Sequence, residues 1–446
     1  MINKIKKDIH LKEILKGSSI AFILRIVGII AGYIFTLIIT RNYGAEAMGI
    51  FALSLTLFQI SSVLSRLGMD TALLRFAAEY SSQGKWNIVI DIYKKALKLV
   101  VPFSLIISVL IFVFSPYIAE YFFKKPYLAS YFQLISIGIL PLVLLYIHAE
   151  GLRGLKKIKE YMLLQQTGIF VIASLLQGLI TVLYLSGKVL IAPAKTPIVS
   201  YIISVFLLSI TAYFVWRKYI KPYFHSARNI SQSPSYKYIL SVSIPMLFSS
   251  SLALIMGWTD TIVLGIFRAE EEVGVYNVII RIASILILPL TAINAIVAPK
   301  ISGYYWNNEK ILLYKLMQIS SKLNLVFSSL IFFILMIFGE NILKFFGETF
   351  VRGNFSLIIL LFGYFFNSYF GNVGAFLNMT GNQRVLQNII LLSIIINVIL
   401  NFLLIPSYGI LGASISTSFS MFIWNLLGAI FVKQKFNILT FYIPKI

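Results

Sequence analysis

Apolar windows about 20 residues long recur from one end of this sequence to the other, and that is the length a helix needs to cross a bilayer. With 59% hydrophobic residues, 12% charged residues and a mean hydropathy of +0.88, the chain lies far outside the range of soluble globular proteins. The pattern predicts an all-α integral membrane protein with twelve transmembrane helices. The first half supplies spans at 17–40, 48–67, 96–119, 128–150, 162–185 and 196–216. The second half supplies spans at 238–265, 273–298, 323–343, 354–378, 388–405 and 409–432.

Charge placement supports this map. In a soluble protein a net charge of +22 would point to nucleic acid. Here the lysines and arginines sit in short loops, about 27 on the side assigned as cytoplasmic and about 8 on the other, as the positive-inside rule requires. No nucleic-acid partner is expected. Residues 1–16 form a lysine-rich arm with apolar positions at Ile5, Ile9, Leu11 and Ile14, which suits a helix lying on an anionic leaflet of membrane lipids. Two six-helix lobes, 17–216 and 238–432, are joined by a polar linker at 217–237 containing Pro222, Ser226, Ser231 and Pro234. A short tail, 433–446, completes the chain, with both termini expected in the cytoplasm.

There is no cysteine, which excludes disulfides and thiolate chemistry. The three histidines are scattered and no P-loop motif occurs, so neither a zinc cluster nor ATP hydrolysis is expected.

The two halves carry traces of one plan. At an offset of about 225 residues Gly49-Ile50-Phe51 meets Gly274-Val275-Tyr276 and Arg75 meets Lys300. Further on, Gly154 pairs with Gly381 and Lys157 with Arg384. A repeat at half the chain length is what a two-lobed transporter leaves in its sequence, and an even number of spans per repeat gives both lobes one orientation.

Ionised groups inside spans are the candidates for function, since each costs at least about 2.5 kcal/mol at bilayer depth. Arg25 in the first span shares a face with Ser18 and Gly32. Arg66 ends the second, in line with Gln59 and Ser62, and Arg281 lies in the eighth between Asn277 and Ser284. These seams suggest a water-filled cationic cavity. Snorkelling, or a buried ion pair that pins the bundle, is the alternative, most of all for Arg66. Asp260 in the seventh span reads either as a counter-charge to one of these arginines or as a site for a coupling cation. Asn367, Ser368, Asn372, Asn378, Asn388, Asn397 and Asn401 concentrate in spans ten and eleven. Such amides suit sugar hydroxyls, Asn372 among them, yet the same residues join helices in membranes. No nucleophile–base or paired-carboxylate arrangement emerges, so no enzyme is expected. A cationic cavity calls for an anionic cargo, and guanidinium, which binds two oxygens at once, is best matched to phosphate.

With these residues in view, the chain resembles the polysaccharide transporter (Wzx-type O-antigen, capsule and exopolysaccharide flippase) family of the multidrug/oligosaccharidyl-lipid/polysaccharide (MOP) exporter superfamily. Thr40-Arg41-Asn42-Tyr43-Gly44-Ala45-Glu46-Ala47-Met48-Gly49, Leu73-Leu74-Arg75-Phe76-Ala77-Ala78-Glu79-Tyr80 and Asn401-Phe402-Leu403-Leu404-Ile405-Pro406-Ser407-Tyr408-Gly409 carry the resemblance. It implies two six-helix bundles set in a V, and export of polyprenyl-diphosphate-linked oligosaccharide from inner to outer leaflet of the cell membrane. It implies cavity roles for Arg25 and Arg281, and more loosely for Arg66. No cofactor is expected beyond Na+ or H+ as a coupling ion. The polymerase and glycosyltransferases of the same pathway are the expected partners of a monomer. The rivals are a cation-coupled multidrug or metabolite exporter of the same superfamily, a lipid II flippase, and a membrane glycosyltransferase or ligase. The first would want several buried carboxylates, and only Asp260 is clearly within a span. The related lipid II flippases usually carry two further C-terminal helices, and the last has no outer loop long enough for a catalytic set.

Overall fold

The computed structural model describes residues 9–187, 193–223 and 233–442, with side chains from residue 22 onward except at 249, 250, 252 and 253. Residues 1–8 of the basic arm, the side chain of Ser18 and the middle of the linker, with Ser226 and Ser231, therefore lie outside what it describes. Among the described residues the chain is all α-helix with short 3-10 and π segments. The elements used below are α1 Ile9–Arg66, α2 Met69–Ser82, α3 Trp86–Tyr117, α4 Ala129–Gly154, α5 Gly168–Leu185, α6 Thr196–Ile220, α7 Tyr236–Phe267, α8 Glu270–Ala283, α9 Leu288–Trp306, α10 Lys310–Phe346, α11 Asn354–Tyr369, α12 Val373–Met379, α13 Gln383–Tyr408 and α14 Ile410–Phe436.

Among the described residues ten helical stretches are long and apolar enough to cross a membrane. Two facts relate that count to the twelve expected spans. The stretch from Phe22 to Arg66 is long enough for two crossings, interrupted where Gly44 takes φ 82 and ψ −176. That backbone belongs to glycine, because a Cβ would clash in it. The second fact is α7, whose two apolar parts, Tyr236–Phe248 and Leu254–Phe267, flank the undescribed side chains. The continuous spans expected at 273–298 and 354–378 are interrupted. The first is α8, a 3-10 turn at Ser284–Ile287, then α9, whose opening turn holds Pro289. Proline has no N–H to donate to the carbonyl four residues back, so the α-helical ladder ends just before it. The other breaks between α11 and α12 at Gly371, φ 73.

The chain divides into two compact units, residues 1–43 with 53–251, and residues 44–52 with 252–446. In the first, Trp216, Phe58, Phe76 and Phe132 are almost fully buried. Gly138 and Gly151 let the rings of Phe58 and Trp216 approach α4 closely, since added Cβ atoms would lie 3.0 and 2.8 Å from them. Tyr93 and His148 are hydrogen-bonded at 2.9 Å beside Trp216. The end of the linker is tied to α3 by Lys95, which donates to the Pro234 carbonyl at 2.8 Å.

In the second unit the core of α9, α10, α12 and α14 is built on Val297, Ile301, Met317, Phe376 and Val432. The segment 44–52 packs here through a reciprocal contact. A Cβ on Gly49 would fall 1.8 Å from the Glu270 carbonyl oxygen, and one on Gly274 would fall 2.0 Å from that of Ala45. The offset that relates Gly49 to Gly274 also relates Ala45 to Glu270, so the repeat returns as a two-fold exchange of contacts between its copies.

Candidate functional site

Asp260, on α7, is fully buried, and hydrogen-bond donors converge on it from three other helices. Tyr276 on α8 donates its hydroxyl to Oδ2 at 2.7 Å, and Thr417 on α14 donates to the same oxygen. On α13, Asn401 donates Nδ2 to Oδ1 at 2.6 Å, and Asn397, one turn earlier, does so at 3.4 Å. Asn401 also donates to the Asn397 side-chain oxygen at 3.1 Å. All five residues are buried, and every donor is neutral. The guanidinium expected as a counter-charge is not among the partners of Asp260. A buried carboxylate held only by neutral donors keeps a full negative charge to be balanced, which a bound cation or proton would do. Asn401 Oδ1 is buried without a donor, a second oxygen acceptor at the same node. Oxygen donors of this kind suit a hard cation, so the residues fit the coupling ion, with Asp260 and Asn401 as the groups that would hold it.

The other candidates divide between the units. Arg281, on α8, is partly buried three residues before the 3-10 turn. Its neighbours on the same seam are satisfied locally: Asn277 donates to the Val273 carbonyl at 3.0 Å and Ser284 to the Arg281 carbonyl at 2.7 Å. Arg25, in the first unit, is exposed on α1. The face beside it packs against residues 166–174, where Thr167 and Ser174 donate to the Leu24 and Ala31 carbonyls at 2.7 and 2.9 Å. Arg66 is buried and committed within the first unit. It pairs with Asp70 at 2.7 Å, donates Nε to the Ser62 carbonyl at 3.2 Å and lies 4.1 Å from the centre of the Tyr146 ring. That is the ion-pair alternative weighed for it from the sequence.

Asn372 is fully buried at the break between α11 and α12, accepting from Asn324 at 3.2 Å and donating to Ser320 at 2.8 Å. Asn425 and Asn367 are bonded at 3.0 Å nearby, and Ser328 with Ser368. These amides join α10, α11 and α14. Asn372→Ala, which strips Asn324 and Ser320 of a buried partner, is expected to destabilise the protein by about 2 kcal/mol, a fall of several degrees in the melting temperature of detergent-purified protein.

Tyr276 and Thr417 were not among the residues singled out from the sequence, and Asn397 with Asn401 were not tied to Asp260. One signal was available: an acid in an apolar span needs donors, and two asparagines four residues apart offer a pair on one helical face.

An all-α chain of long apolar helices in two units, with interrupted spans and a buried acid node, has the construction of a secondary transporter. Comparison with known proteins agrees. The model of the family described as "Polysaccharide biosynthesis protein" matches residues 14–304, and that of MatE matches residues 245–403. The chain belongs to the polysaccharide biosynthesis protein family. It is 25% identical over 219 residues to "Probable low-salt glycan biosynthesis flippase Agl15" of Haloferax volcanii, 49% of this chain and 44% of that protein. It is 28% identical over 220 residues to "Capsular polysaccharide biosynthesis protein CapF" of Staphylococcus aureus, 49% of this chain and 55% of that one. The chain is thus matched to about half the length of these two relatives. An uncharacterized membrane protein of Methanocaldococcus jannaschii is 27% identical over 403 residues, 84% of this chain and 75% of its own.

Among solved structures, the lipid II flippase MurJ in an inward closed conformation superimposes with a TM-score of 0.72, covering 96% of this chain and 90% of that one. An inward-facing MATE multidrug transporter gives 0.71, covering 93% and 98%. At 15% identity each, these establish the shared fold.

Proposed function

We propose that the protein is a flippase that carries a polyprenyl-diphosphate-linked oligosaccharide from the inner to the outer leaflet of the cell membrane. The observation that carries this reading is the family match across residues 14–304, supported by the glycan flippase and capsule protein among the relatives. Transport proceeds by alternating access, with both termini in the cytoplasm and the protein acting as a monomer alongside the polymerase and glycosyltransferases of its pathway. Arg281 holds the diphosphate, because a guanidinium fork grips two phosphate oxygens where an ammonium offers a point charge, and Arg25 is assigned the same chemistry within the first unit. The Asp260 node, with Asn397, Asn401 and Thr417, binds the Na+ or H+ that couples transport to an ion gradient.

The test is polymer export in cells whose own flippase is deleted, with variants at matched membrane abundance. Arg281→Met keeps the packing and removes the fork, and export is expected to fall at least about tenfold. Arg281→Lys retains the Coulomb attraction and is expected to keep part of the activity. Export by Arg281→Met equal to the parent would mean that Arg281 serves packing alone. A second reading, a cation-coupled multidrug exporter, is favoured by the MatE match over residues 245–403, which contains the Asp260 node. Efflux of cationic dyes from cells lacking any lipid-linked oligosaccharide would decide for it.

A further inference from the structure

A pocket of about 520 Å³ opens at one end of the second unit, where α9 turns into α10 and α14 ends. Tyr304 and Tyr305 of α9, Lys310 and Tyr314 of α10, and Lys435 and Asn437 at the end of α14 line it, together with apolar side chains. Both lysines are exposed. Lys435 donates to the neutral Asn382 side chain at 2.7 Å, and among the described residues no carboxylate pairs with either ammonium. Glu309, beside Lys310 in sequence, makes no ion pair with them. The hydroxyls of the three tyrosines have no hydrogen-bond partner among the described residues. The Lys310 ammonium and the three tyrosine hydroxyls thus face the hollow without partners among the described residues. Lys435, bonded to Asn382 and 5.6 Å from the centres of the Phe431 and Phe436 rings, adds a second positive charge with no counter-ion there.

The far wall is the tail of the chain. Asn437 turns with φ 57, Ile438 is buried in the core, and Ser321 donates to the Thr440 carbonyl at 2.5 Å. Lys310 and Lys435 therefore approach the hollow from two elements that are each fixed. On the same two helix ends Trp306 is 65% exposed and Ile311 73% exposed, with Leu312 and Tyr314 exposed as well. Large aromatic and aliphatic side chains bared at the ends of membrane helices lie at the lipid headgroup boundary.

We infer that this pocket is a binding site for the phosphate headgroup of an anionic phospholipid, lined by none of the residues of the Asp260 node. The two ammonium groups neutralise the phosphate, the tyrosine hydroxyls donate to its oxygens, and the apolar wall receives the start of the acyl chains.

The test is thermal stability of the purified protein in a neutral detergent, titrated with phosphatidylglycerol, phosphatidylcholine or inorganic phosphate. Phosphatidylglycerol is expected to raise the melting temperature saturably, and phosphatidylcholine to leave it unchanged. The half-saturating concentration is expected to rise about fivefold in Lys310→Gln and roughly thirtyfold when Lys435→Gln is added. The Lys310 side chain makes no hydrogen bond or ion pair among the described residues, so its single variant reads binding without a folding defect. Lys85→Gln with Lys218→Gln, both in the first unit, is the control and keeps the parent response. The site is disproved if Lys310→Gln titrates like the parent, or if the control pair weakens binding as much. A shift of equal size at equal concentration with inorganic phosphate would disprove the lipid as ligand.

Discussion

Gly274→Ala and Gly49→Ala are each expected to destabilise the protein by at least about 3 kcal/mol, a large penalty for one methyl group. The methyl carbon would stand 2.0 Å from the Ala45 oxygen in the first case and 1.8 Å from the Glu270 oxygen in the second. Both obstacles are backbone atoms in well-packed helices, so no rotamer change relieves the clash and a whole helix must shift. Gly257, on α7, and Gly178, on α5, meet nothing within 4 Å, and alanine there is expected to be neutral or stabilising by up to about 1 kcal/mol. Because the two contacts form one crossing, the second substitution should cost little once the first has pushed the helices apart. A double-mutant cycle on melting temperature is expected to show strong sub-additivity, and simple additivity would mean that the helices do not cross as described.

Asp260→Asn is expected to leave the protein folded at normal abundance while transport falls at least about tenfold and loses its dependence on the ion gradient. The amide matches the carboxylate in shape, and the hydroxyls of Tyr276 and Thr417 can each turn from donor to acceptor, so their hydrogen bonds survive. Only the charge is removed. Asp260→Leu differs: it leaves Asn397, Asn401, Tyr276 and Thr417 facing a hydrocarbon, at about 1–3 kcal/mol for each unsatisfied group, and is expected not to accumulate in the membrane. Undiminished, gradient-dependent transport by Asp260→Asn would show that the node only holds helices together. Loss of abundance in both variants would show the same.

How much of this could be read from residue order depends on how local the cause is. The spans follow from windows of hydropathy, and the Arg66–Asp70 pair is four residues apart, across the short turn at Leu67 and Gly68 between α1 and α2, within reach of a sequence argument. Pro289 marks the end of the 3-10 turn after Arg281, a breaker visible in sequence, although the 273–298 window remains apolar through it and so reads as one helix. Of the Asp260 node the sequence shows only the acid and the paired asparagines, not that they meet. Its donors Asn397, Asn401 and Thr417 lie 137, 141 and 157 residues away, and no periodicity links a residue to partners on other helices. Asn372 carried both of its possible readings in the sequence, and only the positions of Asn324 and Ser320 show where its amide is used.

The segment Gly44–Ala52 packs with the second unit although the chain on both sides of it belongs to the first. This limits how the protein can be recombined. A chimera that keeps residues 1–251 and takes the remainder from a relative would bring its own Ala45 and Gly49 against a foreign helix. Its fit would depend on whether that helix carries a glycine at the position of Gly274. The inherited module is therefore larger than either half: positions 45 and 49 are bound to positions 270 and 274, and a side chain gained on one strand of that crossing restricts what the other can become.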